Sequence, residues 1–189
     1  MNTIVRESEL PVTTHHRLFF AVRPPNGAVR YLVEEQRRFG PGRTVRPEHL
    51  HLTTVIVNDH EIFPATIAER MCLVGDAIAA TQFPIVLDQV VASHRSVAMV
   101  PSERLNGFHA FQRRLARRMM RAGLGQRSNW RFSPHVTLLY WHGAPLREWT
   151  DALSWTATEF VLIHSLLGLT RHEVLARWPL LPPKPPTLH

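Results

Sequence analysis

Two short stretches of the chain carry residues that could do chemistry. They are His51-Leu52-Thr53 and His135-Val136-Thr137. Each lies in an apolar run rich in β-branched residues: His49 to Val57 for the first, Phe132 to Tyr140 for the second. Such runs read as strands. On a strand, residues two apart point to one face, so each histidine is expected to project beside its threonine. Two imidazoles and two hydroxyls facing one another suit phosphoryl transfer without a metal. In-line displacement at phosphorus needs a base on the attacking side and an acid on the leaving side. An imidazole pKa near 6.5 lets one ring be neutral while the other is charged. A threonine hydroxyl can donate to a non-bridging phosphate oxygen and stabilise the charge that develops there.

The spacing alone is a weak signal. The chain has 12 histidines, so a His-x-Ser/Thr triplet is expected about once by chance. His94-Arg95-Ser96 reads as such an accident. Context separates the other two, because both sit in apolar strands at comparable places in the two halves. Two rival readings stand beside this one. His49 and His51 on one strand face, with His135, could chelate zinc, although no acidic ligand is nearby and threonines stand where ligands are needed. Alternatively, the protein binds RNA with little catalysis.

The second rival draws on charge. The formal net charge is +7, and Lys184 is the sole lysine. Arginine suits bidentate phosphate contact, and a basic balance suits polyanions. Arg113, Arg114, Arg117, Arg118 and Arg121 crowd one predicted helix. A solvated face near a helix C-terminus is the favoured explanation for them. The single cysteine, Cys72, excludes an intramolecular disulfide and reads as a buried helix residue, favouring a reducing, cytoplasmic setting. No apolar run approaches the roughly 20 residues of a membrane span, and the N-terminus lacks the pattern of a secretory signal.

The elements that must position the motifs follow in order. Residues 1–14 read as a polar, flexible leader. His16–Val22 is a strand stopped by Pro24-Pro25-Asn26-Gly27. A helix over 28–39 leads to the first motif strand. A second helix is expected over 62–80, strands over 83–91 and Ser96–Val100, and a third helix over 105–121 with Phe108, Phe111, Leu115 and Met119 as its apolar stripe. After the second motif, Trp141 to Pro145 turns the chain. Strands over 159–167 and 173–180 form a hairpin around Gly168 to His172. Residues 182–189 are a proline-rich tail. The motif falls after a helix in each half, a weak repeat of element order. The predicted class is α+β, with residues 15–181 forming one bilobal domain. Two lobes related by a pseudo-twofold axis line a central cleft with antiparallel sheets, and the helices lie outside.

The paired motifs resemble the signature of the 2H phosphoesterases, in the branch of 2′-5′ RNA ligases and RNA 2′,3′-cyclic phosphodiesterases. Similarity extends to Arg17 to Val22 with Pro24-Pro25, to Val45-Arg46-Pro47-Glu48 before the first motif, to Phe132-Ser133-Pro134 before the second, and to Leu175 to Leu180. The resemblance implies catalysis by His51 and His135, phosphate binding by Thr53 and Thr137, and neither metal nor cofactor. The substrate it implies is RNA or a nucleotide with a terminal 2′,3′-cyclic phosphate, the alternative being a small nucleotide such as ADP-ribose cyclic phosphate, and a monomer is expected. Two positions depart from the family pattern. Thr54 stands where an apolar residue is usual, and its side chain is expected to face away from the cleft. Tyr140 stands where many relatives carry arginine, with Arg131 or Arg46 as possible replacements for that charge. Phe19, Tyr140 and Trp141 are candidates for stacking on a base.

Overall fold

The computed structural model describes residues 15–183. The leader 1–14 and tail residues 184–189 lie outside the described residues. Two antiparallel sheets form the frame. Strands β1 (His16–Val22), β3 (Leu52–Ile56), β8 (Glu159–Leu166) and β9 (Arg171–Pro179) make one, in the order β3-β1-β8-β9. Strands β2 (Arg43–Thr44), β4 (Phe83–Ala92), β5 (Ser96–Val100), β6 (Val136–Tyr140) and β7 (Leu146–Ala157) make the other, in the order β2-β6-β5-β4-β7. Leaving β2 aside, the orders correspond: motif strand, its antiparallel neighbour, and two more strands. In each half a helix joins the neighbour to the motif strand: α1 (Asn26–Arg37) between β1 and β3, and α3 (Asn106–Arg121) between β5 and β6. The expected repeat of element order is thus a repeat of topology.

Three features depart from the sequence reading. The second helix, α2 (Ala65–Asp76), is shorter at both ends than 62–80. It begins only after Pro64, since a residue preceding proline is pushed out of the helical region. The long strand β7 follows the expected turn, over a stretch to which the sequence reading assigned no element. Its residues alternate between half-buried and exposed along most of its length, and its polar outer positions hide the strand pattern. Finally, both motif histidines precede their strands instead of lying in them. His49 belongs to a short 3-10 turn, Pro47–His49.

The core lies on the helical side of both sheets. Leu18, Phe20 and Leu162 of one sheet, Ile85, Leu87 and Met99 of the other, and Met71, Phe108, Leu115 and Met119 of the helices form one buried cluster. Aromatic contacts run through it. Trp178 stacks on Phe160, Phe160 meets Phe111 of α3, and Phe111 meets Phe83 of β4. The apolar stripe of α3 therefore wedges between the two sheets and fixes their relative placement. A smaller apolar cluster, Phe19, Ala21, Ile56, Val161 and Ile163, lies on the opposite face of the first sheet, with Trp130 packed against it.

Candidate active site

Each motif strand carries a bulge at the residue after its threonine. Opposite β1, the pairing steps from Val55 to Thr53 and passes over Thr54. Opposite β5, it steps from Leu139 to Thr137 and passes over Leu138. An unbroken strand sends residues three apart to opposite faces. The bulges cancel that rule. Thr53 and Ile56 both face the cleft, as do Thr137 and Tyr140. Thr54 and Leu138 are fully buried on the other side, so Thr54 faces away from the cleft as expected. The carbonyl freed at Leu138 accepts from Val45 N–H and from Gln36 Nε2, each at 2.8 Å.

The histidines are set by one device used twice. His51 Nδ1 lies 2.6 Å from the carbonyl of His49, and His135 Nδ1 lies 2.8 Å from the carbonyl of Ser133. In both cases the acceptor is two residues back, in a chain stiffened by Pro47 or Pro134. A carbonyl can only accept, so each Nδ1 carries a proton and donates it. The proton that comes and goes therefore sits on Nε2 in both rings. His51, Thr53, His135 and Thr137 all line one cleft of about 350 Å³, within the range of small-molecule sites. Among the described residues, no side chain engages either threonine hydroxyl.

The two rings differ in surroundings. Phe19 lies against His51 with ring centroids 4.8 Å apart, and His172 of β9 meets it at 5.5 Å. His172 in turn packs on His49 at 4.2 Å. Enclosure by these rings lowers the His51 pKa to about 4, and the nearby His135 and His49 push the same way. The hydrogen bond to the His49 carbonyl opposes this only in part. Burial also lowers His49, and it lowers His172 to about 3 with help from His51 and His49. His51 is therefore a neutral imidazole at neutral pH, with Nε2 as an available base.

Four guanidiniums, those of Arg17, Arg43, Arg46 and Arg127, line the same cleft, and among the described residues no carboxylate does. Behind the wall, Asp59 receives Arg17 through two bonds of 2.7 Å and 2.8 Å, and Arg127 at 3.2 Å. The Arg17 hydrogen bond is the chief cause holding the Asp59 carboxyl below its usual range.

Of the residues proposed from sequence, Phe19, Arg46 and Tyr140 line the cleft with the four motif residues. Arg131 does not. Nor does Trp141, which packs on Phe39 and donates from Nε1 to the Ser93 carbonyl at 2.8 Å. Their places are taken by Arg127 and Trp130, brought in where Arg127 N–H donates to the Ile56 carbonyl at 2.8 Å. Asn129, with φ 62, bends the chain between them. Beside Tyr140 stands Arg43, whose guanidinium lies 4.9 Å from the Tyr140 ring centroid. The expected pairing of His49 with His51 on one strand face fails, because His49 sits in the 3-10 turn and is buried against His172. Among the described residues, no three His, Cys, Asp or Glu side chains converge as a metal-ligand set. The arginines of α3 lie outside the cleft.

Comparison with known proteins agrees with this fold. Escherichia coli LigT, solved in complex with 3′-AMP, superposes with a TM-score of 0.74 at 26% identity, covering 88% of this chain and 98% of that one. A protein described as a phosphoesterase matches with the same values. A protein of Thermus thermophilus shares the fold at 23% identity with a TM-score of 0.66, over 88% of this chain and 98% of its own. No curated protein sequence matches the chain. The model of the 2′-5′ RNA ligase superfamily matches residues 24–168, most of the chain. With that match, the shared fold and the paired histidine–threonine sites, the chain belongs to the 2′-5′ RNA ligase superfamily.

Proposed function

We propose that the protein is a metal-independent phosphodiesterase that opens 2′,3′-cyclic phosphate ends of RNA or nucleotides to 2′-phosphates. The observation that carries this reading is the pair of imidazoles, each locked through Nδ1 to a carbonyl two residues back, flanking two unengaged threonine hydroxyls. In the hydrolytic direction His51 Nε2 takes a proton from water as its oxygen attacks phosphorus. The bond from phosphorus to the ribose 3′ oxygen breaks, and that oxygen takes the proton from His135 Nε2. Thr53 and Thr137 hydroxyls donate to the non-bridging oxygens as their charge rises. His51 serves as base because its enclosure keeps it neutral. With the 5′-hydroxyl of a second strand in place of water, the same step with the same proton roles forms a 2′-5′ linkage; its reverse, in which the 3′-hydroxyl attacks and the 5′ oxygen leaves, exchanges the two histidines' roles. The 3′-AMP complex of Escherichia coli LigT supports a nucleotide as the ligand class.

The test is hydrolysis of 2′,3′-cyclic nucleotides in EDTA, with products mapped as 2′- or 3′-phosphates. His51→Ala and His135→Ala are each expected to lower kcat by about 10² to 10⁴-fold, the usual contribution of a positioned acid or base. Full activity in either variant, or activity that EDTA abolishes, rejects the mechanism.

A further inference from the structure

The four guanidiniums of the cleft are not equivalent. Arg17 and Arg127 are both committed to Asp59. Arg43 and Arg46 pair with no carboxylate among the described residues. Both are exposed, and both line the cleft. They stand three residues apart, Arg43 in β2 and Arg46 just before the 3-10 turn. Among the described residues, the cavity therefore holds two cations with no balancing anion. A 2′,3′-cyclic phosphate is a diester with a single negative charge, and it already has two hydroxyls and two imidazoles to receive it. The cation count exceeds what one such group requires.

Arg43 is also held in place. It pairs with Tyr140 across β2 and β6, and its guanidinium rests over the Tyr140 ring. Its Nη1 donates to Thr170 Oγ1, on the turn between β8 and β9, at 3.2 Å. Tyr140 is three residues beyond Thr137, about 10 Å along a strand. The stack and the Thr170 bond tether the guanidinium toward that end, away from the phosphate position beside Thr137. A planar, oriented fork of donors is the geometry that phosphate oxygens accept best.

We propose that Arg43 and Arg46 form a second phosphate subsite, so that the cleft selects nucleotides carrying a further phosphate besides the cyclic one. The proposal rests on the cyclic-phosphate reading above for what occupies the first subsite. The second phosphate is either the 5′-phosphate of a free nucleotide or the internucleotide diester of an RNA end. Both present the same non-bridging oxygens. Trp130, half-buried on the cleft wall, offers a face on which the base between the two phosphates can stack.

Two measurements test the subsite separately from the catalysis. The first is equilibrium binding of a nucleoside 3′-monophosphate and of its 3′,5′-bisphosphate. The bisphosphate is expected to bind at least about tenfold more tightly, the return on one charge-assisted contact. That ratio is expected to collapse toward unity in Arg43→Gln and in Arg46→Gln, whose exposed positions leave the core intact. Equal affinity for the two ligands in the native chain overturns the proposal, and so does a ratio that survives in both variants. The second measurement is kcat/KM in EDTA for a 2′,3′-cyclic nucleotide, its 5′-phosphorylated form, and a dinucleotide ending in a cyclic phosphate. The two longer substrates are expected to exceed the first by a similar factor, and the better of them identifies the source of the second phosphate. No turnover of any of the three, with the binding ratio intact, overturns the catalytic reading and leaves the subsite standing. Turnover of all three at one rate, with equal affinities, does the reverse.

Discussion

His51 and His135 are equal in sequence grammar and in the Nδ1 bond that orients them, yet unequal in environment. His51 is walled by Phe19 and His172, and its pKa falls to about 4. A base acts when deprotonated, so kcat/KM is expected to fall only as pH drops through that value, not through the 6.5 of a free imidazole. An NMR titration of the His51 ring alongside the pH–rate profile checks this. A His51 midpoint near 6.5 would remove the reason for naming it the base. Thr53→Val and Thr137→Val each delete one donor to the phosphate and are expected to lower kcat by about 10² to 10³-fold, the range for one oxyanion donor. A loss confined to KM would mean that the hydroxyls bind ground and transition states alike. The four motif residues were legible in the sequence because their pattern is local and repeated. Tyr140 and Phe19 were legible because they sit in or beside recognisable strands. His172, Arg127 and Trp130 were not, since no local pattern says where the 122–135 loop runs or which residue of β9 faces His51. Arg131 illustrates the difference, lying one residue from Trp130 and outside the cleft.

The elements were read well where one face is continuously apolar. The strands β1 and β5 fall at the expected residues, and α3 begins one residue later than 105. β7 escaped because its identity comes from pairing with β4, with large apolar Trp149 on a position open to solvent. The bulges at Thr54 and Leu138 escaped as well, because a bulge is a property of two strands together. Thr54 shows its consequence. The bulge drives its side chain into full burial, and Oγ1 there has no hydrogen-bond partner. A buried hydroxyl left unpaired costs about 1 to 3 kcal/mol. Thr54→Val keeps the shape and removes the orphan, so it is expected to stabilise the protein by about 1 kcal/mol in urea unfolding. Marked destabilisation would mean that the hydroxyl has a partner after all. Gly75 makes the opposite case. A methyl there would meet the Trp178 indole, which stacks on Phe160 and donates from Nε1 to Asp76 at 2.7 Å. Gly75→Ala is therefore expected to cost about 1 to 3 kcal/mol by overpacking, despite the better helix propensity of alanine.

At the scale of the whole molecule, the bilobal plan was legible because the motif recurs after a helix in each half. The wedge of α3 between the sheets was not, since nothing local tells which core residues of α3 meet which sheet. The fold also gathers histidines on and beside its first sheet in a way that links its stability to pH. His49, His51, His164 and His172 all have lowered pKa values, with burial the largest cause in each. His164 shares a hydrogen bond of 2.9 Å with His16, ring nitrogen to ring nitrogen, which needs one nitrogen without a proton. In the unfolded chain these rings take up protons near pH 6.5. In the folded chain they do so only at lower pH, about 4 for His51 and about 3 for His172. Between those limits the unfolded state binds more protons, so stability falls as pH falls. Asp59 extends the loss to lower pH, because its carboxylate, depressed by Arg17, contributes stability that disappears as it is protonated. Acid also raises a net charge that is already +7, and self-repulsion destabilises in the same direction. A substitution separates the two causes. His172→Phe removes one proton-binding site from the unfolded state while leaving an apolar ring against Phe19 and His49. Unfolding free energies measured in urea from pH 7 to 4 are expected to decline less steeply in this variant, by up to about 1.4 kcal/mol per pH unit, the linkage slope of one proton. An unchanged slope would assign the acid sensitivity to net charge instead of to the histidines around the cleft.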